Sequence, residues 1–392
     1  MGSSLIDQVD VRILEVPLNK PYWMSQQAYA TAGQVFVTVR TAGGVLGYGQ
    51  AHGNPMTTIA DLVTDTLAPL VLGRSVWEVR AIWRDLFAVS TGKREAVATG
   101  QPHFGMRDRF QLLAGISALD IAIWDARAKT AGLPLWKLLG ADNPVLPAYA
   151  TGGYYPNGDN DDPGIDSLLA EIGAYVDAGF TAVKIKTGRA PEVDIARVRA
   201  IRDDHPDLRI KADSNGGWDL DEALTAGRAF SDLGVFWMEE PIHWHLGTHH
   251  LRRLRDESGL RMAAGEQEIH QWSSASLVDE GVISVLQTDC TRAGGLTAWM
   301  EVATYANLRG VAVAPHHDGH IHGHFLAALS GEVHCETFPD SDRDPLWARL
   351  YGEKPELVNG ALVLSERPGL GITPDSGQLD AWTIRQTTIH PE

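Results

Sequence analysis

Three things are scarce in this chain: cysteine, long apolar runs and positive charge. Among 392 residues there are only two cysteines, Cys290 and Cys335, so no disulfide framework is expected and a reducing cytoplasm is the predicted compartment. No apolar run reaches the length that crosses a membrane. The first residues also lack the hydrophobic core of a signal peptide. We therefore expect no membrane partner.

The shortage of positive charge limits the partners further. Lysine and arginine number 33 against 50 aspartates and glutamates, which gives a net charge of −17. Nucleic acids and anionic membrane surfaces are repelled by such a chain, so neither is an expected partner. An acidic small molecule can still bind where cations are placed locally. The lysine pair Lys184 and Lys186, at the end of a short apolar run, is such a place.

The first 140 residues have the pattern of an α+β domain. Residues 11–51 alternate like strands, divided by a loop at 21–32 and a turn at 42–44, and residues 57–89 and 110–131 follow with helical spacing. Strands followed by helices predict an α+β domain, which we place at residues 1–140. Its loops at 21–32 and 51–55 carry Trp23 and His52. We expect these loops to cover an active site and to contact substrate.

From residue 145 the pattern changes to alternating strands and helices. Eight short apolar runs are each followed by a turn and usually by a helix: 146–150, 182–186, 209–213, 235–240, 261–266, 282–289, 311–316 and 333–338. Parallel strands need crossover helices, and eight such units close into a TIM-like (β/α)8 barrel. We predict this catalytic barrel at residues 141–360. Residues 361–392 are predicted to return and pack on the first domain.

Polar residues stand at the carboxyl end of nearly every predicted barrel strand. They are Lys186, Asp213, Glu239, Glu266, Asp289, His316 and Glu336, at intervals of 20 to 27 residues. One strand–helix unit has about that length, so these side chains are predicted to surround one mouth of the barrel, where barrel enzymes carry out their chemistry. A single strand-end carboxylate is usually a helix cap or a solvated loop residue. Seven in register favour a functional site.

Three of these residues are carboxylates on consecutive strands, Asp213, Glu239 and Glu266. Hard oxygen ligands select Mg²⁺ or Mn²⁺ over zinc, and three converging carboxylates without a cation would repel one another. Glu268 is two residues after Glu266 and would point to the same face of a strand, so either of them could be the third ligand. Glu240 follows Glu239, and strand alternation predicts that it faces the other way. We expect it to support the ligands from behind or to form a structural ion pair.

The remaining residues have the chemistry of acid–base catalysis. Asp289 on one strand end can orient His316 on the next, and His317 is the competing histidine. Lys184 and Lys186 lie across the mouth, on strand two against strand seven, and Asn215 and Glu336 can hydrogen-bond ligand groups. A cation with a nitrogen base on each side of a carboxylate ligand predicts abstraction of the proton α to that carboxylate.

Several segments together resemble the enolase superfamily, in its mandelate racemase subgroup, over essentially the whole chain. They are ISALDIAIWDARAKTAGLPLWKLLG, KIK, ADSN, WMEEP, AAGE, TDCTRAGG, APH and HCETF. The resemblance implies an enolase-type modified barrel with a capping domain, and it implies a homo-oligomer. It further implies Mg²⁺ ligands at Asp213, Glu239 and Glu266. It also implies that Lys186, beside Lys184, and His316, oriented by Asp289, are the two bases, and that Glu336 contacts the substrate carboxylate. Use of a Lys or His base with Mg²⁺ is a general property of this superfamily.

The expected function is dehydration of an acid sugar, an aldonate or aldarate, to a 2-keto-3-deoxy acid by a carbon–oxygen lyase. The resemblance and the polar, histidine- and tryptophan-rich loops favour this reading. With bases on both faces, a racemase, epimerase or cycloisomerase is the alternative. A more remote alternative is a zinc-dependent hydrolase, since HIHGH at 320–324 has His-x-His spacing. A non-catalytic binding barrel fits the intact set of ligands and bases poorly.

Overall fold

The computed structural model describes residues 2–25, 27–91, 108–159 and 162–391, and its first part is an antiparallel sheet. The strands are β1 (Ile6–Met24), β2 (Gln27–Thr41), β3 (Leu46–Ala51) and, from the far end of the chain, β16 (Thr383–Ile389). Their order is β16-β1-β2-β3. The last strand of the chain therefore completes the sheet that the first strand begins.

The loop predicted at residues 21–32 is instead mostly the end of a long hairpin. Tyr22 pairs with Tyr29 and Trp23 with Ala28, so β1 and β2 continue almost to the turn. Pro21 does not end the strand because the register shifts between Pro17 and Tyr22, and the irregularity absorbs it. Beyond that shift, aromatic side chains again pair across the strands.

Helices pack on one face of this sheet. They are α1 (Met56–Leu62), a π-helical turn (Val63–Leu67), α2 (Ala68–Val71), α3 (Val79–Thr91), α4 (Arg109–Ala131) and α5 (Leu135–Leu138), with 3-10 turns at Gly2–Ser4 and Val76–Glu78. The central helix α4 is buried along most of its length. It approaches β3 closely at Gly49, where a β-carbon would lie 2.1 Å from the Ala118 carbonyl oxygen. It ends at Gly132, as predicted, in the left-handed conformation.

Eight parallel strands form the barrel, as predicted. They are β4 (Val145–Gly152), β5 (Ala182–Lys186), β6 (Arg209–Asp213), β7 (Trp237–Glu239), β8 (Met262–Ala264), β9 (Val285–Leu286), β10 (Ala312–Val313) and β11 (Cys335–Thr337). Neighbours pair in sequence order from β4 to β10, and β11 pairs with β4. A parallel bridge between Val313 and Val333 joins the last segment to β10. The ring is therefore closed.

Helices connect the barrel strands on the outside. They are α6 (Ile165–Asp177), α7 (Pro191–Asp204), α8 (Leu220–Asp232), α9 (Thr248–Ser258), α10 (Gln271–Asp279), α11 (Gly295–Leu308) and α12 (Gly319–Leu326), with a 3-10 turn at Trp244–Leu246. Inside the barrel, a layer that includes Tyr149, Trp237 and Val285 fills the space. The barrel is a packed core, and its chemistry is confined to the mouth.

The C-terminal segment returns across the molecule. It contains α13 (Pro345–Arg349), β12 (Tyr351–Glu353), β13 (Glu356–Val358), β14 (Ala361–Val363), β15 (Thr373–Pro374) and α14 (Ser376–Trp382) before β16. Strand β14 pairs with the start of β4, and β16 pairs with β1. The boundaries at residues 140 and 360 stay a prediction. In the described part of the chain, no helix is both long and apolar enough to cross a membrane.

Candidate active site

The strand-end side chains predicted from the sequence gather at one mouth of the barrel. The carboxyl ends of parallel strands point to the same side, and the set occupies seven successive positions around the ring: Lys184 and Lys186 on β5, Asp213 on β6, Glu239 on β7, Glu266 after β8, Asp289 after β9, His316 after β10 and Glu336 on β11. Most of these side chains are buried. The mouth is therefore lined by charged groups held in a low-dielectric environment.

The two lysines pair with carboxylates across the mouth. Lys184 Nζ lies 2.6 Å from Glu239 Oε1 and 2.7 Å from Glu336 Oε1. Lys186 Nζ lies 2.5 Å from Asp213 Oδ2 and donates to Asn215 Oδ1 at 3.0 Å. Burial alone lowers the pKa of Lys186, but the charge of Asp213 outweighs it and raises that pKa. Both amines are held as ammonium groups here.

The three predicted metal ligands lie on neighbouring strand ends and act electrostatically on one another, and their negative charge is only partly compensated. Burial and the charge of Asp213 raise the pKa of Glu239 to about 7. Glu266 Oε2 is buried and has no hydrogen-bond partner in the described part of the chain. Oxygen donors with excess negative charge and an unpartnered buried oxygen fit a hard divalent cation such as Mg²⁺. At the open choice between Glu266 and Glu268, this oxygen favours Glu266.

Glu240 lies at the site, so the prediction that it faces away was wrong. Strand β7 ends at Glu239, and Glu240 has a positive φ of 38°, so strand alternation no longer applies to it. Its carboxylate is near Glu266, Asp213 and Glu239; burial first, and then these charges, raise its pKa well above the usual value. Its hydrogen bond from Gln267 Nε2 is long, at 3.4 Å. A fourth acidic group therefore adjoins the three predicted ligands.

His316, rather than His317, forms the histidine–aspartate pair. Its Nδ1 lies 3.0 Å from Asp289 Oδ2, and its Nε2 lies 3.9 Å from Glu266 Oε2. The other Asp289 oxygen accepts from the backbone N–H and hydroxyl of Thr291, both at 2.7 Å. Burial alone lowers the pKa of His316, but the charges of Glu266 and Asp289 raise it to about 9. The pair is thus held firmly, with Nε2 turned toward the carboxylates.

Glu336 is held as a carboxylate. One oxygen accepts from Thr151 Oγ1 at 2.6 Å and contacts Lys184, and the other accepts from the His317 backbone N–H at 2.7 Å. Burial opposes ionisation, but Lys184 and His316 outweigh it and hold the pKa of Glu336 well below its usual range. Glu336 is therefore ionised and can accept hydrogen bonds but cannot act as a proton donor.

The predicted loop residues divide into two cases. His52 lies at the mouth, where its Nε2 is 2.8 Å from Asp318 Oδ2 and its ring is 5.2 Å from that of His317. Trp23 is half-buried near the hairpin tip and covers Gly158, where a β-carbon would lie 2.9 Å from the indole. Within the described residues, no hydrogen bond, ring stacking or cation–π contact joins the Trp23 side chain to the charged groups at the mouth.

Several residues at the mouth were not predicted from the sequence: Tyr22, Thr151, Tyr154, Asp318 and Arg343. Tyr154 places its ring 5.8 Å from Lys186 Nζ, and Tyr22 packs edge-on against Tyr154 with 4.6 Å between ring centroids. Thr151 lies near the carboxyl end of the first barrel strand and Tyr154 follows that strand, so the same strand-end rule would have found them. Tyr22, on a hairpin predicted as a loop, and Arg343, beyond the last strand, gave no comparable signal.

The HIHGH segment does not form a His-x-His metal pair. It lies in α12, where residues two apart point in different directions. His320 stacks on Trp347, with 4.8 Å between ring centroids, whereas His322 Nε2 accepts from the Cys290 backbone N–H at 2.9 Å. This geometry leaves the zinc alternative without its expected ligand pair.

Family models match both parts of the chain. One, described as Mandelate racemase / muconate lactonizing enzyme, N-terminal domain, matches residues 8–140, and another, Enolase C-terminal domain-like, matches residues 167–378. The chain belongs to the enolase superfamily. The resemblance seen in its motifs and the predicted fold class are both confirmed.

Within the enolase superfamily, the chain is similar to acid-sugar enzymes along most of its length. Arabinonate dehydratase of Saccharolobus solfataricus is 29% identical over 90% of this chain and 91% of that protein. The 3,6-anhydro-alpha-L-galactonate cycloisomerase of Streptomyces coelicolor is 30% identical over 85% of this chain and 86% of the other. Both dehydratases and cycloisomerases thus occur among its relatives.

Solved enolase-superfamily structures share the whole fold. L-Talarate/galactarate dehydratase from Salmonella typhimurium superposes with a TM-score of 0.86 at 26% identity, covering 99% of this chain and 94% of that one. A mutant of L-talarate/galactarate dehydratase, liganded with magnesium and L-glucarate, gives the same TM-score and coverage. Magnesium is thus present in a structure that shares this chain's fold.

Proposed function

We propose that this protein is a Mg²⁺-dependent dehydratase of an acid sugar that yields a 2-keto-3-deoxy acid. The observation that carries the proposal is the order of groups around the mouth. Carboxylates on three adjacent strands, β6 to β8, stand between Lys186 on β5 and the His316–Asp289 pair after β9 and β10. A substrate carboxylate bound to a cation at those acids would have its α-carbon between two nitrogen bases.

Asp213, Glu239 and Glu266 are the residues proposed to hold the cation. When bound, Mg²⁺ supplies positive charge that stabilises negative charge developing on the substrate carboxylate. Mn²⁺ has the same preference for oxygen ligands and is proposed as a possible substitute. Asp213 is shared between this set and Lys186, 2.5 Å away. Loosening that ion pair would leave Lys186 better able to accept a proton.

Lys186 and His316 are assigned the two proton transfers. Lys186 takes the α-proton, and the electron pair of the broken C–H bond forms the carbon–carbon double bond of an enol. His316 donates a proton from Nε2 to the β-hydroxyl, which leaves as water. The enol then tautomerises to the 2-keto acid. Asp289 on Nδ1 keeps the imidazole in the orientation that this donation needs.

Lys184, Glu336 and Asn215 are assigned supporting roles. Lys184 adds a positive charge beside Lys186 and contacts Glu239 and Glu336. Asn215 holds the Lys186 amine through its side-chain oxygen and donates its backbone N–H to Asp213 Oδ1 at 3.1 Å. These contacts would fix the amine and the carboxylates before substrate arrives. Glu336, which this network holds in place, is proposed to contact the substrate carboxylate.

Isomerisation is the second candidate function. Bases at opposite sides of the mouth allow the proton to return to the other face, and a cycloisomerase stands among the relatives described above. Return of the proton to the α-carbon gives a racemase or epimerase. Breaking of a ring C–O bond at the β-carbon, with the proton passing to the freed oxygen and no water lost, gives a cycloisomerase. We further propose that the protein is cytoplasmic, which its two free thiols, Cys290 and Cys335, support. We also propose that it is a homo-oligomer, which the family resemblance supports.

A screen of aldonic and aldaric acids separates these functions. The Mg²⁺-loaded protein is incubated with each acid, and 2-keto products are measured together with solvent deuterium incorporation. Dehydration predicts a 2-keto-3-deoxy product that disappears with EDTA and returns with added Mg²⁺. Deuterium entering the α-position without loss of water would favour isomerisation. Neither product nor exchange with any acid would refute the proposed chemistry.

A further inference from the structure

Arg343 lies at the mouth in an aromatic enclosure. Its guanidinium carbon is 3.9 Å from the ring centroid of Tyr22, 4.5 Å from that of Tyr154 and 5.1 Å from that of Phe338. These rings come from three separate parts of the chain: the hairpin, the first barrel strand and the last barrel strand. The guanidinium is therefore held in place, since stacking on rings restricts a planar cation.

In the described ranges of the chain, no carboxylate forms an ion pair with Arg343, and its Nε is buried without a hydrogen-bond partner. Burial lowers the pKa of Arg343, but the neighbouring Tyr154, Tyr22 and Asp344 outweigh it and raise that pKa. The buried Arg189 is different, because it donates to three backbone carbonyls, those of Ser25, Asn157 and Asp159. A partly buried guanidinium with an unpaired donor gains from an anion that pairs with it.

The position of Arg343 relative to the proposed cation site is informative. In the ring of eight strands, β11 and β4 lie across the barrel from β7, which carries the central proposed ligand, Glu239. One neighbouring ring, Tyr154, is 5.8 Å from Lys186 Nζ, and another, Phe338, is 4.3 Å from the His317 ring. Arg343 thus stands beyond the two bases, on the opposite wall from the carboxylates.

We propose that Arg343 binds the second carboxylate of a linear sugar diacid, an aldarate, whose first carboxylate is held at the cation site. This rests on the proposed function and narrows its substrate class from acid sugars to diacids. A guanidinium presents paired N–H donors that match a carboxylate in a bidentate contact. The hydroxymethyl end of an aldonate carries no charge and leaves this partly buried cation without an ion pair.

The test compares acids that differ only at the far end. The pairs are galactarate and galactonate, glucarate and gluconate, and arabinarate and arabinonate, each assayed with Mg²⁺-loaded full-length protein. The native protein should have the higher kcat/KM for the diacid of the reactive pair. Arg343→Met should lower that value about 10- to 100-fold, as expected for a lost charge-assisted contact, while the monoacid value is unchanged. Arg343→Lys should retain part of the preference.

Arg349→Met is the matched control, because Arg349 is an exposed arginine of the same C-terminal segment, with its guanidinium 5.9 Å from the Trp382 ring centroid. It should leave both acids unaffected. Equal losses for diacid and monoacid in Arg343→Met would overturn the proposal, since a merely structural arginine would act on both. A native preference for the monoacid would overturn it as well.

Calorimetric titration of the same acids into the Mg²⁺-loaded native protein gives a readout that needs no turnover. If no acid reacts, the proposed function fails, yet tighter binding of diacids that is lost in Arg343→Met would still support the assignment of Arg343. Equal binding of diacids and monoacids would refute it. Should Arg343→Met fail to fold, Arg343→Lys and the native binding preference decide in the same way.

Discussion

Lys186 and His316 are made different by their nearest neighbours. Lys186 faces Asp213 at 2.5 Å and has Lys184 on the same strand, whereas His316 is tied through Nδ1 to Asp289. The carboxylate of Glu266 acts electrostatically on both, and it raises the pKa of each. One acidic group near two bases indicates that both reach the same small volume, which is what a two-base mechanism on one substrate requires.

At the residue scale, Lys186→Ala and His316→Asn should fail differently. Each should lower turnover about 10²- to 10⁴-fold, the usual contribution of a positioned acid or base. In heavy water, His316→Asn should still exchange the substrate α-proton, because Lys186 remains to remove it, but it should release no water. Lys186→Ala should lose both exchange and dehydration. Mass spectrometry of the recovered acid measures the exchange.

Lys137→Ala is a suitable control for these variants. Lys137 is a solvent-accessible lysine that contacts only Glu366 and the Trp136 ring in the described part of the chain. Native turnover is expected for it. If Lys186→Ala kept exchanging the α-proton while His316→Asn did not, the assignment of the two bases would have to be reversed.

Strand alternation predicted the lysine pair but not Glu240. Lys184 and Lys186 lie inside the regular strand β5, where the period of two holds. Glu240 lies one residue past β7 with a positive φ, which no periodicity predicts. The same reason hides His317 and Asp318, both of which have positive φ and place their polar groups at the mouth. Side-chain directions can be predicted from the sequence where the backbone is regular, but not at residues with positive φ that end a strand.

At the element scale, helix α12 is unusual because it buries three histidines. His320 stacks on Trp347, and His324 Nε2 lies 3.3 Å from the Leu370 carbonyl oxygen. Burial lowers the pKa of His320 to about 4 and that of His324 to about 3, and it also lowers the pKa of His322. The spacing that suggested zinc in the sequence therefore belongs to neutral histidines packed in the interior.

This burial predicts loss of stability in acid. In the unfolded chain a histidine has a pKa of about 6.5, so below that pH the unfolded state binds protons that the folded state resists. The stability contribution is complete above pH 6.5 and is lost as the pH falls toward 4. Between pH 7.5 and 5, His320 and His324 should each cost about 2 kcal/mol of unfolding free energy.

Urea unfolding of His324→Leu at the two pH values checks this. The variant should show a smaller difference between pH 7.5 and 5 than the native protein, whatever its absolute stability. His249→Leu, at an exposed position of helix α9, should show the native difference. An unchanged pH difference in His324→Leu would contradict the assignment of acid sensitivity to α12.

At the scale of elements, the sequence predicted the helices and barrel strands better than the hairpin. Helix α4 was expected at 110–131 and is found at Arg109–Ala131, because its apolar spacing and the stop at Gly132 are local signals. The tip of β1 and β2 was expected to be a loop. Its strand character depends on pairing between Tyr22 and Tyr29 across the hairpin, a tertiary contact that a local pattern does not contain.

At the scale of the whole molecule, the order of the chain was readable because parallel strands impose it. Eight strand–helix repeats allow a single closed arrangement with all carboxyl ends on one side, so the mouth could be assembled from intervals alone. The last segment was predicted to return to the first domain, and β16 does so by pairing with β1 at the edge of the first sheet. The enclosure of Arg343 joins three distant segments, and no interval in the sequence indicates it.

Four acidic groups lie together at the mouth, and this predicts that Mg²⁺ stabilises the fold. Asp213, Glu239, Glu240 and Glu266 are gathered there, and Lys184 and Lys186 contact only the first two. A ligand that binds the folded state alone adds about 2.7 kcal/mol at a concentration of 100 times its dissociation constant. Adding Mg²⁺ should therefore raise the melting temperature, and EDTA should reverse the rise.

The size of that rise should depend on Asp213. Asp213→Asn removes a proposed ligand, so the rise with Mg²⁺ should shrink and the apparent Mg²⁺ affinity should fall. Asp203→Asn makes the same change of charge at an exposed position near the end of α7, and it should keep the native rise. Thermal unfolding at matched ionic strength, with NaCl replacing MgCl2, separates specific binding from screening. A rise of equal size in Asp213→Asn would mean that Mg²⁺ stabilises the protein elsewhere, and the proposed cation site would be refuted.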